Sequence, residues 1–112
     1  MSISFKGFNE QVLAFKTQGT VEEGMLVKMS DNATVTPCAG GNDFIGVAVY
    51  THADIAAVQV GGYVSLPYSG TKPTLGKASI CAASTNQIKT GGDKTVTVVE
   101  IDEVNSTAGI LL

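Results

Sequence analysis

The side chains best suited to chemistry in this chain are few and scattered. His52 is the single histidine and stands one residue from Asp54, and an imidazole beside a carboxylate is the pairing a general base needs. A base also needs a nucleophile to activate and a third group to orient it. The sequence contains no G-x-S-x-G elbow, and neither Cys38 nor Cys81 stands in a nucleophile motif. His52 is therefore expected to be a polar turn residue, and the chain is expected not to be an enzyme.

The remaining candidates fall the same way. Glu22-Glu23 and Asp102-Glu103 are adjacent acids, and adjacent side chains in a strand or turn diverge, which suits neither a shared proton nor a shared metal. They read as solvated turns. Gly40-Gly41 and Gly91-Gly92 lack the lysine, the spacing and the following helix of a phosphate-binding loop. Cys38 and Cys81 match no zinc spacing and read as buried free thiols. No catalytic residue, metal or cofactor is expected.

The elements around these residues are bounded first by composition. A chain of 112 residues is one ordinary domain and buries roughly two-thirds of its unfolded surface. With 44% hydrophobic and 15% charged residues it is too apolar for disorder and too poorly charged for a hydrated helical surface. Some apolar surface is left to meet a partner. All seven basic residues are lysines, spread along a chain of net charge −3, which argues against nucleic acid, where arginine makes the bidentate contacts. The first residues lack the apolar core of a signal peptide, and no run approaches the ~20 apolar residues of a membrane span. A soluble product of a cytoplasm, with no membrane partner, is expected.

Short Val-, Ile- and Thr-rich segments recur between clusters of Gly, Asp, Asn and Ser, which is an all-β signature. Strands are predicted at 11–16, 25–29, 33–36, 44–50, 55–60, 63–66, 77–81, 95–101 and 109–112, forming a single compact β-barrel or β-sandwich-like domain of short antiparallel strands over 10–112. Asp31-Asn32 and Gly61-Gly62 are read as tight hairpin turns, and residues 69–73 as a break that crosses to another part of the barrel. Pro67 marks a strand edge or end. The segment 44–50 is apolar on both faces and is expected to be central, with Gly46 marking a bulge or a close backbone approach. In 95–101 the inward set changes from Val96 and Val98 to Val99 and Ile101, a change of face that a bulge accommodates.

Residues 1–9 read differently. Ile3, Phe5 and Phe8 are apolar but punctuated by Ser2, Ser4, Lys6, Gly7 and Asn9, as expected of an extended N-terminal arm. Burying three such side chains on a partner is worth ~1.5–3 kcal/mol each, while ordering the backbone costs ~1–2 kcal/mol per residue. Attachment through the arm therefore needs main-chain hydrogen bonds, or several arms acting together.

Three segments form an ordered series: Val21-Glu22-Glu23-Gly24-Met25-Leu26-Val27-Lys28, then Phe44-Ile45-Gly46-Val47-Ala48-Val49, then Val58-Gln59-Val60-Gly61-Gly62-Tyr63-Val64. The series resembles the head-decoration, or capsid cement, proteins of tailed bacteriophages, over residues 20–102. The resemblance implies a compact β-barrel that binds the outer surface of the mature virion shell. It further implies a homotrimer that locks neighbouring major capsid protein subunits together. That family has no short catalytic signature to carry over. Ile3, Phe5 and Phe8 are named as the capsid-binding arm on physical grounds alone. Two other readings fit the same composition. One is a different virion component, such as a head fibre base or tail protein. The other is a small ligand- or carbohydrate-binding barrel with Tyr50, Tyr63 and Tyr68 lining a pocket.

Overall fold

The computed structural model describes residues 10–112, and every regular element among them is a strand. In chain order these are β1 (Gln11–Thr17), β2 (Leu26–Asp31), β3 (Thr34–Pro37), β4 (Gly46–His52), β5 (Ile55–Gly61), β6 (Tyr63–Pro67), β7 (Gly76–Ala82), β8 (Ile88–Thr90), β9 (Lys94–Asp102) and β10 (Thr107–Leu111). The first five close into a barrel in the order β1-β3-β2-β4-β5. β1 makes the closure, antiparallel to β5 along its length and parallel to β3 at Lys16 and Thr17. The last five form a sheet in the order β6-β10-β9-β7-β8. This sheet curls until its edges touch, where Tyr68 bridges Ile88 and the Ser69 amide donates to the Ile88 carbonyl at 2.8 Å.

Strand alternation sends Ala56 and Val58 of β5 into the barrel, against Val27, Val35 and Ala48. A second cluster joins Leu26, Phe44 and Val47 of the barrel to Leu66, Ile80, Ile88, Val98 and Ile110 of the sheet. One apolar core is therefore shared by both halves, at ~1.5–3 kcal/mol for each large side chain buried. The β3–β4 connection sews the halves together along the main chain. Gly41 donates to the Ala82 carbonyl, and Ala82 donates to Asn42, each at 2.8 Å. Nearby, the Lys94 ammonium sits 5.5 Å from the centre of the Phe44 ring, close enough for a cation–π attraction.

Two of the register shifts in the ladders bear on the sequence reading. Gly109 pairs with Glu100 and Ile110 with Val98, so Val99 is the extra residue of β9, which is the change of face read in the sequence. In β4, Ala48 pairs with Val58 and Tyr50 with Ala57, leaving Val49 as the extra residue. Gly46 also marks the close approach expected of it, because a Cβ there would overlap the Gln59 carbonyl oxygen.

Two turn readings need correction. Gly61-Gly62 does not close a hairpin: β5 pairs with β1 and β4, while β6 pairs with β10. These glycines, with Gly62 at φ 86°, carry the chain from the barrel into the second sheet. The β2–β3 hairpin turns one residue later than expected, on Asn32-Ala33, with Asp31 opposite Thr34 and Ala33 at φ 51°. β8 was not anticipated. The compact β-barrel or β-sandwich-like domain expected takes the form of a closed barrel with a second sheet packed against it.

A candidate docking face

The register of β1, β5 and β4 fixes which side chains share the outer surface of the barrel. Ala14 lies opposite Ala57, which lies opposite Tyr50; Lys16 lies opposite Ile55, which lies opposite His52. Cross-strand partners share a face, so Val12, Ala14, Ile55, Ala57 and Tyr50 form one apolar outer patch. Val12 is 44% exposed, Ile55 43% and Tyr50 58%. Contiguous exposed apolar surface of this kind is a candidate for contact with another molecule.

Leu13 extends the patch around the strand. It pairs with Val58, which is fully buried, and so lies on the core side of β1, yet it is 55% exposed. The cause is the short contact between β1 and β3, limited to Lys16 and Thr17. Upstream of Lys16, β1 has no neighbour on that side among the described residues, and Gln11 to Ala14 are exposed on both faces. A strand edge with apolar residues on both faces is a template for pairing with another chain. The chain enters this strand from Glu10, beside Gly61. Ile3, Phe5 and Phe8, the expected arm, lie outside the described residues.

A second feature lies where barrel and sheet meet, a cleft of about 730 Å³ between Glu22 to Met25, the Val49 bulge and β6. A smaller hollow of about 250 Å³ lies beside Glu100 and Gly109. Neither is lined by a tyrosine. Tyr50 is on the outer barrel face, Tyr68 packs against the shared core, and the Tyr63 hydroxyl donates to the Glu100 carboxylate. Burial and that bond push the Tyr63 phenol up to about 12. The aromatic pocket expected of a ligand-binding barrel is therefore not assembled from these three residues.

His52 ends β4 and Asp54 sits in the following turn, both exposed. Cys38 and Cys81 are free and buried, as their spacing suggested, and burial pushes the Cys38 thiol up to about 11. Among the described residues no group of three or more His, Cys, Asp or Glu side chains could hold a metal ion. No described helix is long and apolar enough to cross a membrane.

Sequence reasoning missed one residue of the site's framework, the buried Gln59. Its Nε2 donates to the Gly61 carbonyl at 3.1 Å and to the Tyr63 carbonyl at 2.8 Å, pinning the switch from barrel to sheet. Its position next to Val58 and Val60 in an otherwise apolar run was the available signal, since a polar residue in such a run is there to satisfy backbone groups.

The class these features define is an all-β protein in which a closed five-stranded barrel and a curled five-stranded sheet share a core. In comparisons with known proteins, no family model matches the chain and no curated protein is significantly similar to it.

Proposed function

We propose that this is a non-enzymatic structural protein of a tailed-phage virion, which binds the outer surface of the mature capsid and clamps neighbouring major capsid protein subunits. It acts as a homotrimer on the shell. The observation that carries this reading is Leu13, a core-side residue of a closed barrel left half-exposed on a strand edge that is unpaired among the described residues. That edge adjoins the apolar patch of Val12, Ile55 and Tyr50. Ile3, Phe5 and Phe8, proposed as the capsid-binding arm, are outside the described residues and are proposed from their sequence alone. Apolar patch and strand edge together offer the side-chain burial and main-chain bonding that stable attachment needs. The resemblance of the ordered series to cement proteins supports the same role.

The test is co-sedimentation with expanded, undecorated capsid shells of the phage. Saturable binding at a number of copies set by shell symmetry is expected. Failure to bind both unexpanded and expanded shells would reject the reading and favour a tail or fibre component.

A further inference from the structure

The cleft between the two halves contains an unused strand edge. Tyr68 donates to Ser106 and Leu112 donates to Gly62, which fixes the phase of the β6–β10 ladder. In an antiparallel pair, residues alternate between bonding their partner and pointing both backbone groups the other way. Val64 and Leu66 therefore bond β10, while Ser65 and Pro67 turn their backbone groups toward the cleft. The same alternation gives Ser69 its bond to Ile88 on that side. No strand pairs with Ser65 on its cleft side among the described residues. The Ser65 amide and carbonyl, and the Pro67 carbonyl, are thus presented to whatever enters.

The walls say what would enter. Glu22 and Glu23 stand on one rim, and among the described lining residues they are the only charged side chains. Their turn is held by bonds from Gly24 to the Ala48 carbonyl at 2.7 Å and from Ala48 to the Met25 carbonyl at 2.9 Å, so the main chain that carries the two glutamates keeps its place at the cleft. Met25, Val49 and Val64 supply apolar wall. Val49 is there because it is the bulged residue of β4, 38% exposed.

We infer that this cleft binds an extended peptide segment of a partner protein, one that adds as a short strand to β6 at Ser65 and places a lysine or arginine against Glu22 and Glu23. Main-chain bonds would give the affinity, and the paired carboxylates would select a basic segment over an acidic one. Pro67, which has no amide to donate, limits the added strand to a few residues. The site is separate from the β1 face and does not depend on the capsid reading.

The test is an amide NMR titration of the full-length protein with the blocked peptide Val-Lys-Val-Lys-Val, alongside Val-Glu-Val-Glu-Val. The expected result is saturable shifts centred on Ser65, with slowed hydrogen exchange of its amide. The acidic peptide should bind at least about tenfold more weakly, and the double substitution Glu22→Lys with Glu23→Lys should reverse that preference. Both glutamates are exposed turn residues, and the two-peptide comparison on the unmodified protein stands even without the variant. Equal binding of the two peptides, shifts that leave Ser65 unmoved, or no shifts with peptide in large excess would each overturn the inference.

Discussion

Gly46 and Gln59 face each other across β4 and β5 so closely that a Cβ on Gly46 would overlap the Gln59 carbonyl oxygen and lie 3.0 Å from its carbon. Val58 Cγ1 would be 2.9 Å away. The obstruction is largely backbone and cannot swing aside. Gly46→Ala must therefore separate two strands of a closed barrel, and destabilisation of about 2 kcal/mol or more is expected. A urea-denaturation midpoint equal to the parent's would contradict this packing.

Gln59 itself makes a sharper prediction. Gln59→Leu keeps the volume but removes both bonds to the chain between β5 and β6, for a loss of about 1–3 kcal/mol. Gln59→Glu places an acceptor against the Gly61 and Tyr63 carbonyls, so the buried carboxyl is held protonated and its folded-state value raised. The folded state then binds more protons than the unfolded state above the ordinary glutamate value of about 4.3, so this variant loses stability as pH rises through that range. Stability of the Glu variant that instead improved from acid to neutral pH would contradict the assigned bonds.

Alkaline behaviour follows from Cys38. Burial raises its thiol to about 11, whereas an unfolded-chain thiol titrates near about 8.5. Between those values the native state keeps a proton that the unfolded state releases, so stability falls as pH rises. Tyr63, raised to about 12 by burial and its bond to Glu100, extends the decline upward. Cys38→Ala should flatten the fall in urea midpoint between about pH 8.5 and about pH 11. An unchanged slope would show that Cys38 is not the group responsible.

At the acid end the relevant group is Asp102, the last residue of β9, before the turn to β10. The Asn105 side-chain amide donates to it at 2.8 Å, and the backbone amides of Asn105 and Val104 donate at 3.2 and 3.0 Å. These bonds hold its carboxyl below the usual range. A lowered folded-state value gives stability that is present above the unfolded value of about 3.9 and lost as pH falls through the folded one. Asp102→Ala should lower the urea midpoint at neutral pH and reduce its further drop on acidification. An acid limb identical to the parent's would contradict this role.

What the sequence made legible depended on whether the cause was local. The bulge at Val99 follows from a break in alternation within one strand, and the close approach at Gly46 from a glycine inside an apolar run. Gly61-Gly62 was ambiguous because the same two glycines serve a hairpin or a change of sheet. The difference lies in β6 pairing with β10, more than forty residues on. β8 is three residues long and Ile88 is its only buried side chain, too little for periodicity to register. The docking face was hidden by its own composition, since Val12-Leu13-Ala14-Phe15 contains no polar residue to mark an outer side. Its exposure arises only because β3 joins β1 at Lys16 and no earlier.

The role proposed for that face is tested most directly by counting copies bound per expanded shell at saturation, for the parent protein and for the double substitution Val12→Asp with Leu13→Asp. Both side chains are half-exposed, so the variant should stay folded, with a change in stability within about 0.5 kcal/mol of the parent. The account predicts a symmetry-related number of copies for the parent and near-complete loss for the folded variant. Parent protein that fails to bind, or a variant that binds as fully as the parent, would contradict it.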